Sequence, residues 1–159
     1  MLNVLMGMAG EEYAKSQLMR MGYVVTYPTE KKQGDLRVKD PATGEVVRVE
    51  IKTARRGKDG WQFCLNRWDG TRSKTDCTQT DITILQLVGD SGLVVTYAIP
   101  SALLAGIKKT SFRRITPTAR NRWAGYLSDY RIFGGVAWTN LSSHLWTSAM
   151  ATPPMRITK

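Results

Sequence analysis

The chain has 159 residues, 42% of them apolar and 23% charged, which is enough for one ordinary globular core without disulfide or metal staples. Twenty-three Lys and Arg against thirteen Asp and Glu give a net charge of +10, and no apolar run is long enough to cross a membrane as a helix. Residues 1–90 hold fourteen basic and twelve acidic residues and residues 91–159 hold nine and one, so the charge divides as +2 and +8, a balance suited to a polyanionic partner.

In chain order, the apolar N-terminus has no basic residue before it, so no secretory signal is expected. Residues 8–21 read as a helix with Ala14, Leu18 and Met21 on one face, and Gly22 ends it. Residues 23–27 are β-rich and Pro28 closes them; residues 36–38 form a short strand. Pro41 to Gly44 connect it to a strand over 46–52, so 34–54 is expected to be an antiparallel hairpin. Residues 55–80 are mostly polar, with one short strand at 61–65, and are expected to form a mobile, partly exposed arm. Strands follow at 81–88 and 93–99 around a turn at 89–92. Pro100 starts a predicted helix to about Ile107, and Thr116-Pro117 opens another to Tyr130. The last dozen residues read as a tail.

The chemistry lies in the hairpin. Residues i and i+2 of a strand share a face, so Arg48, Glu50 and Lys52 point one way and Val47, Val49 and Ile51 the other, into the core. Asp35 starts the partner strand, and opposed Cβ atoms of an antiparallel pair lie about 5 Å apart. Asp35 and Glu50 can therefore converge, and two carboxylates repel unless a cation lies between them. Two hard oxygen donors completed by water suit Mg²⁺ or Mn²⁺. A lysine beside such a site can hold a water for attack on a phosphate. An amphipathic strand with no chemistry would show the same alternation of Val and charge.

Asp35 followed by Glu50-Ile51-Lys52 resembles the D-x(n)-E-x-K signature of the PD-(D/E)XK nuclease superfamily. Members of it, archaeal-type Holliday junction resolvases among them, carry a glutamate in the first helix and a Gly-aromatic pair before the first strand. Here Glu11 precedes Gly22-Tyr23. Glu12 is nearly orthogonal to Glu11 on a helix, so only one of the two can face the hairpin; the spacing favours Glu11. The proline of the superfamily name is absent, since Gly34 precedes Asp35. Asp81 to Leu87 followed by Tyr97-Ala98-Ile99-Pro100 resembles bacterial group I intron homing endonucleases of the same superfamily.

The resemblance covers about residues 5–107. It implies an α/β restriction-endonuclease-like core of order α-β-β-β-α-β with a mixed sheet. With it go expected units of 1–110 for the nuclease core, 111–147 for a basic helical extension packed on it, and 148–159 for a flexible tail. It implies that Asp35, Glu50 and the Ile51 carbonyl hold Mg²⁺ or Mn²⁺, and that Lys52 orients or activates water. Glu11 either binds a second metal or positions Lys52. The substrate would be double-stranded or branched DNA, handled by a homodimer or higher symmetric homo-oligomer in the cytoplasm of a bacterial or phage-infected cell, with no membrane contact.

Arg55, Arg56 and Lys58, with Arg67, Arg72 and Lys74, follow the active strand and are expected to meet DNA. Lys108, Lys109, Arg113, Arg114, Arg120 and Arg122 add to them. Phosphate contacts give affinity and base-edge contacts give specificity, and the sequence does not sort these residues between the two. Leu104-Ala105-Gly106-Ile107 echoes the LAGLIDADG motif, but Lys108-Lys109 stand where an acid is needed. One histidine, His144, is too few for an HNH nuclease, and Cys64 and Cys77 form no Cys-x-x-Cys pair, so a zinc site is not expected and both thiols are expected reduced. Three readings follow: a homing-like, site-specific endonuclease, a Holliday junction resolvase, and a non-cleaving nucleic-acid-binding protein on a nuclease fold.

Overall fold

A computed structural model describes residues 2–30, 34–68, 73–75, 80–92, 94–112 and 123–127. Helix α1 spans Leu2–Arg20 and starts six residues before the position its apolar stripe predicts. It buries Ala14 and Leu18 completely, while Val4 and Leu5 of the added turns, and Met8 after them, stay exposed. Its end is a Schellman motif. The Tyr23 N–H donates to the Leu18 carbonyl at 3.2 Å and the Gly22 N–H to that of Met19 at 3.0 Å. Gly22 takes φ +93°, which a side chain would strain, and Tyr23 folds back onto the core that holds Leu18.

Strands β1 (Val24–Thr26), β2 (Leu36–Lys39) and β3 (Val46–Arg55) form an antiparallel meander. At the β2–β3 turn the Asp40 carboxylate accepts the Ala42 N–H at 2.8 Å, and Gly44 supplies φ +78°. β3 then pairs in parallel with β7 (Ile82–Val88), from Val49↔Ile82 to Arg55↔Val88. β8 (Val94–Pro100) pairs antiparallel with β7, so the main sheet has the order β1-β2-β3-β7-β8.

The expected order places a helix between β3 and β7. Among the described residues that crossover contains strands only: β4 (Trp61–Cys64), β5 (Asn66–Trp68) and β6 (Ser73–Thr75). β4 pairs with β9 (Lys109–Phe112), and β5 with β6. The predicted mobile arm is also corrected at its start. Trp61, Phe63 and Leu65 are buried in a second core with Ala54, Leu85, Leu87, Tyr97, Ile99 and Phe112. The chain reaches β4 through a tight turn in which Gly57 and Gly60 exchange backbone bonds of 2.8 and 3.1 Å.

The predicted helix over 100–107 is a 3-10 turn at Ser101–Leu104, followed by β9. Pro100 remains in β8 opposite Ile82, and the buried Ser101 hydroxyl bonds those of Thr80 at 3.0 Å and Thr83 at 2.8 Å. Gly106, at φ +79°, then turns the chain out. β9 runs across the boundary expected at residue 110. Of the expected helix over 116–130, residues 123–127 are described: Trp123 is buried in the second core, Ala124–Tyr126 is a 3-10 turn, and Leu127 bridges to Tyr97. The expected tail lies outside the described residues.

The sheet therefore has a core on each face. Val47, Val49 and Ile51 meet α1, as alternation predicts. The opposite face is charged from Arg48 to Lys52; Glu50 is 9% exposed and Ala54 belongs to the second core. A central strand in parallel pairing is covered on both sides.

Candidate active site

β2 begins at Leu36, opposite Val49, whereas β3 continues to Arg55, so the β2-side edge of β3 is free of β2 from Ile51 onward. Asp35 sits at that step. Its N–H donates to the Val49 carbonyl at 2.8 Å, and its Oδ2 accepts the Ile51 N–H at 2.7 Å. A strand residue sends its N–H and C=O to the same edge, so the Ile51 carbonyl leaves beside Asp35. The Asp35 carboxylate is thereby tied one residue beyond Glu50. Gly34 makes this approach possible at φ +91°: a Cβ there would lie 2.8 Å from the Val49 carbonyl oxygen and 2.8 Å from Thr80 Cγ2.

Glu50 and Lys52 share the face opposite α1, with Lys52 Nζ 2.6 Å from Glu50 Oε1. Glu11 lies on α1 within reach of the Glu50 charge. Burial first, then the charges of Glu50 and Glu12, push its carboxyl above the ordinary range. Glu12 diverges from it and accepts a hydrogen bond from the Tyr27 hydroxyl, which pushes Tyr27 up to about 12. Lys15 Nζ covers the same ring at 4.4 Å from its centre. Of the two helix glutamates, Glu11 is the one held against the Glu50 charge.

Glu11 is placed by residues that sequence reasoning did not single out. Gln86 is 1% exposed and donates from Nε2 to the Gly10 carbonyl at 3.1 Å. Thr53 Oγ1 donates to Gln86 Oε1 at 2.9 Å. A buried glutamine within a strand otherwise made of Ile, Leu, Val and Thr was the available signal. Asp81 plays a structural part as well. Its carboxylate accepts bonds from the Arg48 backbone N–H at 2.8 Å, Nε at 3.2 Å and Nη2 at 3.0 Å. These bonds pin the start of β7 to β3.

The expected DNA-contacting residues are spread over several elements. Arg55, Arg56, Lys58, Lys108 and Lys109 are exposed, and Arg56 reaches Asp90 at 3.6 Å. Arg67 and Lys74 stand opposite each other in the β5–β6 register. Arg72, Arg113, Arg114, Arg120 and Arg122 lie outside the described residues, as do Cys77 and His144. Cys64 is exposed and in no disulfide.

Among the described residues no three carboxylate, imidazole or thiol groups gather as a metal cluster. The available donors are the Asp35 and Glu50 carboxylates and the Ile51 carbonyl. This small, all-oxygen set fits a magnesium-class ion, which keeps several of its waters, and does not fit zinc. The charge of Glu50 raising the Glu11 carboxyl is the repulsion such an ion would relieve.

That repulsion has a pH signature. The Glu11 proton is held more tightly in the folded chain than in the unfolded one, whose value is 4.5. Stability is then fully present below that value and falls as pH rises through the higher folded value. Glu11→Gln is expected to raise the unfolding midpoint at neutral pH and to leave it unchanged well below pH 4.5, read from melts across that range. An equal gain at both ends would mean that the Glu11 charge is not the cause.

Among the described residues no helix is long and apolar enough to cross a membrane. No protein-family model and no curated protein matches the chain. Among solved structures, the chain is similar to a bacterial homing endonuclease, I-Ssp6803I, with a TM-score of 0.65 and 17% identity over 81% of this chain and 90% of that one. At that identity the likeness is one of fold: the mixed sheet with its long first helix is an arrangement also found in an endonuclease.

Proposed function

We propose that the chain is a magnesium- or manganese-dependent DNA endonuclease that hydrolyses a phosphodiester bond in duplex DNA at a specific site, in the manner of a homing enzyme. The observation that carries this reading is the step at the start of β2. There Asp35 is tied to the Ile51 N–H at 2.7 Å and Lys52 lies 2.6 Å from Glu50. The fold likeness to a homing endonuclease and the +10 charge support it.

Asp35, Glu50 and the Ile51 carbonyl would hold the ion, which when bound supplies Lewis-acid stabilisation of charge on the phosphate. Lys52 Nζ holds the attacking water by a hydrogen bond, and Glu50 keeps the ammonium aimed. Glu11, drawn in by Gln86 and Thr53, completes the acidic wall by joining the donor set or by steadying Lys52. Cutting both strands of a duplex requires two such sites, so the working form is a symmetric pair of chains or a multiple of it.

The test is cleavage of supercoiled plasmid, mixed genomic fragments and a synthetic four-way junction with Mg²⁺ or Mn²⁺, beside Glu50→Ala and an EDTA blank. Discrete duplex cuts that EDTA and Glu50→Ala both abolish are expected. Paired nicks in the junction alone would make the protein a resolvase. Retained DNA binding with no cutting of any substrate would leave a binding protein on this fold.

A further inference from the structure

The face of the sheet opposite α1 is covered unevenly. The second core lies over the end of β3, β7 and β8. Over β1, β2 and the start of β3 the same face is open, with Val24 51% and Val46 44% exposed. On β2, Leu36 and Val38 are buried toward α1, so Arg37 and Lys39 alternate onto the open face, as Arg48 does on β3. The register lines them up in two rows, Thr26↔Arg37↔Arg48 and Val24↔Lys39↔Val46.

Glu50 and Lys52 share that face, so the Arg37/Arg48 row is the first beyond the candidate catalytic cluster. Rows on one face are two residues apart, about 6.5–7 Å. This matches the step between successive phosphates along a nucleic-acid strand.

The row has a cost. Like charges directly opposite on antiparallel strands destabilise the pair. Arg48 is partly neutralised by Asp81 at 3.0 Å, yet its side chain remains 47% exposed. Arg37 makes no ion pair among the described residues. A face needed only for solubility has no use for an Arg–Arg pair, whereas a conflict between neighbours is expected where a ligand resolves it.

We infer that the open face of β1, β2 and β3 is a track for a DNA phosphate backbone. Arg37 and Arg48 take the phosphate next to the one cut, and Lys39 takes the one beyond. None of these three cations lies in the charged segments that the sequence marks as DNA-contacting. The inference rests on the endonuclease reading for which phosphate is cut, but its binding content stands apart from cleavage.

The test measures binding of a short labelled duplex in EDTA, across a salt series, by the full-length chain and two double variants. Arg37→Gln with Lys39→Gln removes two proposed phosphate contacts. Lys15→Gln with Arg20→Gln removes the same charge from α1. Each phosphate contact contributes a slope of about −0.9 to log K against log salt, so the β2 variant is expected to flatten the slope by about 1.8. Its unfolding midpoint should hold or rise, because both side chains are exposed and the Arg37–Arg48 repulsion is relieved. The α1 variant should bind with the unaltered slope.

An unaltered slope in the β2 variant overturns the track, and so does an equal flattening in both variants, which would mean net charge alone. A wild-type chain that binds as described but never cuts with Mg²⁺ sinks the endonuclease reading and leaves the track standing. A wild-type chain that cuts while the β2 variant keeps its slope sinks the track alone.

Discussion

Lys52→Ala is expected to bind duplex DNA nearly as well as the intact chain and to lose about two to four orders of magnitude in cleavage rate. The separation follows from position. Lys52 lies past the exposed rows of β2 and β3, with its side chain 26% exposed and its Nζ directed at Glu50. As one cation among twenty-three basic residues, it contributes at most one phosphate contact to affinity. For the proposed reaction it is the single ammonium beside Asp35 and Glu50 among the described residues. Single-turnover cleavage and gel-shift binding on one duplex measure the two effects separately.

Alanine also weakens the surroundings of Glu50, which is 9% exposed and loses a partner at 2.6 Å. Breaking a fully buried ion pair costs about 3–5 kcal/mol, and a partly exposed pair costs a fraction of that. Lys52→Arg controls for this. The guanidinium keeps the charge beside Glu50, so stability and binding should recover. It is broad and planar with its donors in a fixed fork, so it cannot place a compact donor where the Lys52 ammonium holds the water, and cleavage should stay lost. Cutting at the wild-type rate by either variant would remove Lys52 from the site.

How much of this was legible before the fold depends on the range of the interactions. Asp35, Glu50 and Lys52 come together through one hairpin, whose turn at Asp40–Gly44 and alternation are local. The spacing to Gly22-Tyr23 favoured Glu11, but its difference from Glu12 is tertiary: Tyr27 binds Glu12, and Glu11 feels the charge of Glu50. The burial of Glu50 was hidden, because it depends on the parallel pairing of β3 with β7 and on the second core, which Trp61 and Phe63 complete. Pro100 gave a local helix-start signal that lost to its pairing with Ile82 and to the hydroxyl cluster at Ser101. Arg37 and Lys39 were visible to period-two alternation, but nothing local shows that their face stays uncovered. Gly10 looked like an ordinary helix residue, and its constraint appears only where α1 meets β3 and β7.

That constraint gives the other large effect. Gly10→Ala is expected to destabilise the fold by roughly 1–2 kcal/mol although alanine is the better helix former. The helix gains about 1 kcal/mol from the exchange. Against this, a Cβ at Gly10 would lie 1.9 Å from Thr53 Oγ1 and 2.6 Å from Gln86 Oε1. Overpacking of that kind costs about 1–3 kcal/mol and sometimes more, and here it also strains the hydrogen bonds that join Gln86 to Gly10 and Thr53. Gly7→Ala is the internal control: nothing lies within 4 Å of a Cβ there, so the same exchange should stabilise by up to about 1 kcal/mol. Adding Thr53→Ala to Gly10→Ala removes the nearest clash and should recover part of the loss, with a coupling of about 0.5–3 kcal/mol in a double-mutant cycle. If Gly10→Ala melted with Gly7→Ala, α1 would not lie this close to the sheet. If the opposite signs are found, the cleavage rate of Gly10→Ala adds a second reading. A helix pushed off Thr53 carries Glu11 away from Glu50, so cutting should fall while DNA binding on the far face of the sheet holds.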